Sequence, residues 1–394
     1  MRILRIIYDW PPPWDGLSPH PYEITVAQAK LGHKIDVFCG RWPRAGSIVK
    51  VENTTLTAFL REPLPGTISF TTSVVMFFYY LKWRGRNQVD VIHSHGHFGI
   101  WIYTYRNFLK KFFKSAKELK TPIVVQFHNT VEGRSESLKG AGSEIKTSSR
   151  YISWPMARFS DKQAVKAADS LIFVSVENRD DAIKYYGADP AKCFVVETGV
   201  NIEAFRPIGA EERDKTRKEL GFDTFDKVIL YHGAMSERKN VHLVIEALAL
   251  LPEPFKLLLV GPGESEYMGR LDKIVEEKHL VERIVRVGYT PYPQVPIAFQ
   301  ASDIFVMPSS FEGLPKVVMQ SLACGVPALV SGFKLSEELR GLFYVDDMSP
   351  AKIAEQIKAI VSTNTEVDRV KIISFYSWGT RALEIDKVYK KLVV

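Results

Sequence analysis

The 394-residue sequence predicts two α/β domains, each built on a doubly wound parallel β-sheet of the Rossmann type. Short apolar runs alternate with helix-forming stretches along nearly the whole chain. These runs are apolar at successive positions rather than at every second one, which is typical of strands buried on both faces. The alternation stops near residue 206 and then restarts, and this interruption predicts a boundary between the two domains.

The first half opens with the apolar run ILRIIY, which predicts a strand, and the loop PPPWDG follows it directly. Tyr22–Leu31 is predicted to form a helix that ends at Gly32, and Lys34–Cys39 is predicted to form the second strand. The same alternation predicts the strands Val89–His93, Ile123–His128 and Leu171–Ser175 and the helices Trp101–Lys120 and Asp161–Ala168.

The second half repeats this pattern after a charged, helix-forming stretch. We assign residues 1–206 to the first domain and 207–376 to the second, and we expect a C-terminal helix at about 377–394 to pack back onto the first. The predicted elements of the second domain are the strands Lys227–His232, Lys256–Val260, Ile284–Val287, Ile304–Met307 and Ala328–Val330 and the helices Val241–Leu250 and Val317–Ala323.

The composition excludes several classes of protein. Hydrophobic residues at 46% and charged residues at 25% are ordinary for a globular protein and exclude a disordered or fibrous one. Cys39, Cys193 and Cys324 form no CxxC pair, which favours a reducing compartment over a disulfide framework. The apolar run Val74–Leu81 is too short to span a bilayer, and the first residues lack the features of a signal peptide. We expect a soluble, cytoplasmic protein.

Basic residues are concentrated in one stretch of the first domain. The net charge is +7, and residues 82–120 alone contain nine basic and two acidic side chains. This stretch also has apolar residues at helical spacing, which either pack on the sheet or, with the basic face, dock on an anionic membrane. Nucleic acid is not expected as a partner because the sequence lacks stacked-aromatic and groove-reading motifs. The basic side chains assigned to membrane or acceptor contact are Lys110, Lys111 and Lys114.

Glycines and chemically active side chains follow the predicted strands. Because ligands of such sheets bind outside the carboxyl ends of the strands, we expect these residues to line binding sites. His95 and His97 are interpreted as packing or cleft-lining residues. The full set at strand ends is Gly16, His95, His97, His128, Gly233, Lys239 and Glu312.

Several longer segments carry a resemblance to a known family. They are PPPWDGLSPHPYEITVAQAKLGHKIDVF, DVIHSHGH, VVQFHN, VVETGVNIEAFRP and, as the most specific, ASDIFVMPSSFEGLPKVVMQSLACGVPAL. Together they resemble the retaining, nucleotide-sugar-dependent glycosyltransferases of GT-B fold, of the group 1 and family 4 type. The resemblance implies two Rossmann-like domains that face a central cleft, with the acceptor bound by the first domain and the nucleotide sugar by the second.

The resemblance implies catalytic roles for three residues. His128 matches the histidine that contacts the donor sugar near the reacting carbon, Lys239 matches the phosphate-contacting lysine, and Glu312 matches the glutamate that binds sugar hydroxyls. A core histidine, a helix-start lysine and a loop acid would have the same local sequence, so a structural role stays open for each. The other donor-binding residues implied are Gly16, Gly233, Arg238, Gly313, Leu314, Pro315, Lys316, Gln320 and Tyr289.

Two positions depart from the family pattern. Gln320 stands where a second glutamate usually binds the ribose, so a charge-assisted hydrogen bond is replaced by an ordinary one. Ala234 stands where an arginine usually follows Gly233, and Arg238 is the candidate to replace that arginine. Both departures predict weakened binding of the donor.

The sequence therefore predicts a retaining hexosyltransferase that moves a sugar from a nucleotide sugar to a lipid-linked or glycan acceptor at the cytoplasmic membrane face. No D-x-D follows a strand, so no metal site is predicted, and no cofactor is expected besides a substrate such as a UDP- or GDP-sugar. The alternative is a catalytically weakened protein of the same fold that binds sugar nucleotides and assists another transferase. A dehydrogenase is disfavoured because no G-x-G-x-x-G follows the first strand of either half.

Overall fold

The computed structural model describes residues 1–14, 16–42, 46–60, 70–133, 135, 151, 153–310, 312, 315–335 and 338–393. The chain divides into two compact units, of which the first comprises Met1–Thr198 with Trp378–Val394 and the second comprises Gly199–Ser377. Each unit is a parallel sheet covered by helices, so the predicted pair of α/β domains is confirmed.

The sheet of the first unit has seven parallel strands in the order β3-β2-β1-β4-β5-β6-β7. Strand order reverses between β1 and β4, which is where doubly wound sheets bind ligands. The strands are β1 Arg2–Ile7, β2 Lys34–Arg41, β3 Thr54–Leu60, β4 Val91–His95, β5 Ile123–Phe127, β6 Ser170–Phe173 and β7 Cys193–Val195.

Two apolar clusters cover the two faces of this sheet, because side chains alternate along β1. Leu4 and Ile6 belong to one cluster, whereas Ile3 and Ile7 belong to the other. The second cluster also holds Tyr389 of the last helix, so the end of the chain completes the core of the first unit. The helices of this unit are Pro19–Lys30, Phe70–Arg84, Ile100–Phe112, Trp154–Ala167, Val176–Tyr186 and Trp378–Lys390.

The predicted helix Trp101–Lys120 is wrong in its C-terminal third, since the helix runs from Ile100 to Phe112. The buried guanidinium of Arg106 explains the early end. It donates hydrogen bonds to the carbonyls of Glu118 and Thr121 at 3.2 and 2.9 Å, and it pairs with the Asp169 carboxylate at 2.5 Å. These contacts hold the chain in its folded-back course after Phe112 and satisfy the carbonyls of Glu118 and Thr121.

The sheet of the second unit has six parallel strands in the order β10-β9-β8-β11-β12-β13. Its strands are β8 Lys227–His232, β9 Phe255–Val260, β10 Ile284–Val287, β11 Ile304–Pro308, β12 Ala328–Ser331 and β13 Leu342–Tyr344. Its helices are Ala210–Glu219, Val241–Ala249, Ser265–Glu277, Val295–Ala301, Lys316–Ala323, Pro350–Ser362 and Arg369–Tyr376.

The chain enters the second unit several residues before the predicted boundary at residue 206. The amide of Val200 donates to the carbonyl of Tyr376 at 2.8 Å, and Phe205 lies fully buried in the core of the second unit. The helix Trp378–Lys390 packs against the helix Pro19–Lys30. No helix among the described residues is both long enough and apolar enough to cross a bilayer.

Candidate active site

Three histidines meet at the carboxyl edge of the first sheet. His95 ends β4, and His128 follows the neighbouring strand β5, so parallel pairing places them side by side. His95 Nδ1 lies 3.3 Å from His128 Nε2, and the two rings are inclined by only 16°. His20, in the first turn of the helix Pro19–Lys30, packs edge-on against His128 with ring centroids 4.4 Å apart. We call these three residues the histidine cluster.

The buried histidines of this edge are held in their neutral form. His93 stacks on His95 with ring centroids 4.5 Å apart, and both rings are almost completely buried. Burial lowers the pKa of His95 well below the usual histidine value, and the neighbouring His93 and Arg5 lower it further. Burial, followed by the charge of Arg5, has the same effect on the pKa of His93. His93 and His95 are therefore uncharged at neutral pH.

The last helix of the chain, Trp378–Lys390, contacts two histidines of this edge. Tyr389 forms a hydrogen bond with Nδ1 of His93, and Trp378 packs edge-on against His20 at 4.8 Å between ring centroids. Asp386 accepts a hydrogen bond from Gln28 at 2.9 Å and pairs with His33 at 2.6 Å. Residues nearly 300 positions or more apart in sequence thus fix the orientation of the histidines.

A charged cluster occupies the carboxyl edge of the second sheet. Glu312 accepts hydrogen bonds from both Lys239 and Arg238, the latter at 2.9 Å. The Lys239 and Glu312 side chains are only 14% and 12% exposed, so this ion pair is largely desolvated. Burial lowers the pKa of Lys239, and the Glu312 carboxylate opposes that effect. The pair places both signs of charge at the ends of two neighbouring strands, β8 and β11.

The loop after β8 is tied to the end of β11, and this tie brings Lys239 to Glu312. Asn240 donates to the carbonyl of Pro308 and to the hydroxyl of Ser310, both at 2.9 Å. The amide of Ser310 donates to the carbonyl of Arg238 at 2.9 Å. Asn240 adopts a positive φ of 50°, which asparagine tolerates better than most residues.

Gly233 lies in a tight crossing of strand ends beside this cluster. A Cβ atom on Gly261 would lie 2.3 Å from the carbonyl oxygen of Gly233, so the two turns pack backbone against backbone. The carbonyl of Ala234 accepts a hydrogen bond from the Tyr231 hydroxyl at 2.9 Å. In Arg238, the predicted replacement for the missing arginine at position 234, the guanidinium is engaged with Glu312.

Two polar side chains on the helix Lys316–Ala323 differ from their apolar neighbours. Among the described residues, neither Lys316 nor Gln320 makes a hydrogen bond or an ion pair, although Gln320 is buried and Lys316 is half-buried. Their four-residue spacing puts them on one face of the helix. Burial lowers the pKa of Lys316 to about 8. Both groups retain the capacity to bind a ligand.

The remaining predicted donor-binding residues are more dispersed. Gly16 has a φ of 55° in the loop after β1, a conformation that favours glycine. Pro315 directly precedes the helix Lys316–Ala323, and Tyr289 is 53% exposed beyond the end of β10. Gly313 and Leu314 lie outside the described residues.

The comparison with protein families identifies both units. Residues 14–204 match the model for Glycosyltransferase Family 4, and residues 212–372 match the model for Glycosyl transferases group 1. The chain belongs to the glycosyltransferases of the group 1 and family 4 type. The two matches account for most of each unit, and the segment ASDIFVMPSSFEGLPKVVMQSLACGVPAL lies within the second.

Relatives and solved structures agree with this assignment. The transferase resembles the D-inositol 3-phosphate glycosyltransferase of Xylanimonas cellulosilytica at 23% identity, covering 88% of this chain and 83% of the relative. The protein of the same name from Corynebacterium glutamicum is 24% identical, covering 96% and 92%. Anabaena HepE in complex with UDP and glucose superposes with a TM-score of 0.72 at 16% identity, covering 99% and 100%. Sucrose-phosphate synthase from Thermosynechococcus elongatus superposes at 0.74 and 18%, covering 100% and 99%. The fold of the transferase is GT-B.

Sequence reasoning missed two features of these edges. His20 lies beyond the loop after β1, in the first turn of the helix Pro19–Lys30, so the rule of strand ends did not select it. The half-burial of the Lys316 side chain, which has no partner among the residues that the structure describes, was not predicted either. An unusual lysine among the apolar residues of the helix was the available signal for the second.

Proposed function

We propose that the transferase is a retaining, metal-independent hexosyltransferase that uses a nucleotide sugar, such as a UDP- or GDP-sugar, and a lipid-linked or glycan acceptor at the cytoplasmic membrane face. The observation that carries the proposal is the Glu312 carboxylate held by Lys239 and Arg238. In the family signature these positions bind the donor sugar and its phosphates.

The charged cluster suits the leaving group of such a reaction. Breaking the bond between sugar and pyrophosphate leaves negative charge on the phosphate, which preorganised cations stabilise. A donor that engages the Glu312 carboxylate through its hydroxyls releases Lys239 and Arg238 from their ion pairs. The two cations then serve the pyrophosphate, and their positions are fixed beforehand by the tie between the loop after β8 and the end of β11.

In its uncharged form, the imidazole of His128 suits the sugar. A protonated histidine would repel the positive charge that develops at the reacting carbon, whereas a neutral ring accepts or donates a hydrogen bond without that cost. The buried neighbour His95 lies within hydrogen-bond distance of His128, so it also sets which nitrogen of His128 carries the proton.

Lys316 supplies charge where the family pattern lacks it. Ala234 removes one cation from the donor site, and Gln320 removes one anion from the ribose site. The Lys316 side chain lies on the same helix face as Gln320 and has no anionic partner among the described residues. We include both in the donor site, Gln320 as a neutral ribose contact and Lys316 as a contact to phosphate.

An exposed aromatic surface supports the membrane part of the proposal. Phe108, Phe112 and Phe113 are 50%, 59% and 55% exposed, with ring centroids of the first two 5.0 Å apart. Lys111 and Lys114 lie among them and are exposed. The neighbouring helix Phe70–Arg84 exposes further apolar side chains, Val75 and Phe78. We call these seven residues the aromatic patch, and its composition is typical of interfacial helices.

The prediction that Lys110 is a membrane contact needs correction. Lys110 donates to the carbonyl of Ala167 at 2.8 Å and pairs with Asp169 at 3.5 Å, so its ammonium group is turned toward the protein. Arg106, on the same side of the helix, is buried. The helix therefore turns Arg106 and Lys110 toward the protein and exposes Phe108, Lys111 and Phe112, while Tyr103 is fully buried.

The test of the function is transfer itself. Purified protein is incubated with UDP- and GDP-sugars and with membrane extracts or soluble glycans, and the anomeric configuration of the new bond is read by NMR. Retention of configuration, with activity that persists in EDTA, is the expected result. Inversion, or activity that needs added metal, would contradict the proposed mechanism.

The alternative of a non-catalytic partner protein rests on Gln320 and Ala234. It predicts that nucleotide sugars stabilise the protein against heat while no transfer occurs with any acceptor. Stabilisation is expected under either hypothesis because a ligand that binds only the native state raises the melting temperature. Product formation distinguishes the two.

A further inference from the structure

The histidine cluster has the donor set of a metal site. His20 and His95 are 1% and 3% exposed, and His128 is half-buried. One ring nitrogen from each residue lies within 4.8 Å of those of the other two. We propose that His20, His95 and His128 bind one divalent transition-metal ion of the Zn²⁺ class, with a fourth coordination position open to water or an anionic oxygen.

The distance between the two histidines at the strand ends fits this interpretation. Tetrahedral Zn²⁺ holds imidazole nitrogens at about 2.0–2.1 Å, which separates two such nitrogens by roughly 3.3–3.4 Å. The distance between His95 Nδ1 and His128 Nε2 is 3.3 Å. A hydrogen bond at that distance needs only two histidines, and it leaves the convergence of His20 on the same point without a purpose. Three ligands with an open position are the usual protein contribution to an accessible zinc site.

A neighbouring side-chain amide orients the imidazole of His20. Gln126, opposite His95 in the sheet, has its side-chain amide 3.0 Å from Nε2 of His20. The two ends of an amide are alike in shape, so its oxygen fits the same place and accepts the Nε2–H. That tautomer puts the lone pair of His20 on Nδ1. Such outer contacts fix the ligand and its tautomer in metal sites.

The backbone also favours a preformed site. His95 and His128 are fixed by the register of β4 and β5, and His20 is fixed by the packing of the helix Pro19–Lys30 on the last helix. Imidazole ligands select Zn²⁺, Co²⁺, Ni²⁺ or Cu²⁺ over Mg²⁺ or Ca²⁺. The proposed ion is therefore distinct from the Mg²⁺ or Mn²⁺ that other sugar transferases place on pyrophosphate.

The ion and the donor sugar compete for His128, a consequence that rests on the proposed function. A metal on that imidazole occupies the lone pair that the sugar would use, so the ion inhibits transfer rather than assisting it. This agrees with a metal-independent reaction, and it predicts that added Zn²⁺ raises the apparent KM for the nucleotide sugar.

The test uses the full chain, freed of metal by EDTA and dialysis, and CoCl₂ and ZnCl₂ as probes. We expect one equivalent of Co²⁺ to bind with the intense visible absorption of a tetrahedral site, and Zn²⁺ to displace it. His95→Asn and, as a less buried second variant, His128→Asn should each weaken Zn²⁺ binding by roughly 100-fold, because a direct ligand matters at least as much as the outer contacts that cost 10–100-fold. The control is His279→Asn, since His279 is exposed and its φ of 55° suits asparagine.

Circular dichroism of each variant establishes that the fold persists. Absence of stoichiometric binding to the native protein, or equal weakening by His279→Asn, would overturn the metal site. A protein that binds a nucleotide sugar but no metal refutes the site and leaves the proposed function standing. A protein that binds one Zn²⁺ through the cluster but no nucleotide sugar supports the site and refutes the proposed function.

Discussion

The carboxyl edges of the two sheets are built from opposite chemistry. The edge of the first sheet carries imidazoles, with His95 and His128 3.3 Å apart, and burial lowers the pKa of His95 well below the usual histidine value. The edge of the second carries a desolvated carboxylate between two cations, with Glu312 as the shared acceptor. The folds of the two units are alike, so the difference comes from which side chains follow equivalent strands.

This difference matches the two halves of a nucleotide sugar. The sugar is uncharged in its ground state and develops positive charge during transfer, so neutral groups serve it best. The pyrophosphate gains negative charge as it leaves, so preformed cations serve it best. An edge with the wrong chemistry would cost binding energy in the ground state or in the transition state.

Removing the charged side chain of Glu312 or of Lys239 should cause the largest loss of activity. Glu312→Ala and Lys239→Ala should each reduce kcat by about 10²–10³-fold, as removal of one preorganised charge-stabilising group does in other enzymes. The loss in Lys239→Ala should fall on kcat more than on KM, because leaving-group charge grows in the transition state. Steady-state kinetics measure both values, and Arg270→Ala, which removes an exposed ion pair with Glu237, is the matched control. Full activity in both variants would refute the assignment of this edge.

Reversing charge on the aromatic patch tests a feature found in the first unit. Lys111→Glu with Lys114→Glu should lower binding to vesicles of phosphatidylglycerol and phosphatidylcholine by about 30-fold or more, since each basic residue near an anionic surface contributes about 1 kcal/mol. Vesicle sedimentation at low and at physiological salt measures this, and the difference should shrink as salt rises. Lys215→Glu with Lys218→Glu makes the same charge change on an exposed helix of the second unit. Equal losses in the two double variants would argue against a specific patch.

Restoring a negative charge at the ribose contact should change the affinity for the nucleotide sugar by a smaller factor. Gln320→Glu should tighten binding of the nucleotide sugar by about three- to tenfold, because a hydrogen bond to a charged group is worth about 1 kcal/mol more than a neutral one. Saturated turnover should change little, since the reacting carbon and Lys239 are untouched. Isothermal titration calorimetry measures the affinity, and Gln356→Glu, on a different helix, serves as control. Unchanged or weaker affinity would show that Gln320 is not at the ribose.

Removing the Lys316 charge should change the stability of the folded protein. The folded-state pKa of Lys316 is lowered to about 8, so the folded protein binds fewer protons than the unfolded chain between pH 8 and the usual lysine pKa of 10.5. Stability of the native protein should therefore rise with pH across that window. Lys316→Met should raise the melting temperature by a few degrees at pH 7, and the advantage should fade from pH 8 to 10.5. An advantage independent of pH would mean that the charge is not responsible.

The sequence alone predicted the architecture and many of the residues at the carboxyl edge of the second sheet. Apolar strands, Gly233 and the segment around Glu312 are local signals, and parallel pairing places strand ends together without further information. The first edge was less predictable because His20, His95 and His128 become neighbours only through register and helix packing. The sequence left open whether the apolar residues of the helix Ile100–Phe112 pack on the sheet or dock on a membrane. In the structure Tyr103 packs in the core, whereas Phe108 and Phe112 are exposed. No sequence pattern shows that Arg106 caps distant carbonyls, so the end of this helix was not predictable.

The return of the last helix to the first unit affects how the protein is made. The ribosome completes the strands and the histidines of the first unit long before Trp378, Ala382 and Tyr389 emerge to fill its second apolar cluster. During synthesis the nascent first unit therefore exposes an apolar groove beside β1. The second unit is one continuous segment, so it can fold before the last helix is made. The first unit is therefore completed last, although most of it is translated first. Removal of the final helix would leave the charged cluster of the second unit intact and would take part of the apolar core from the first unit.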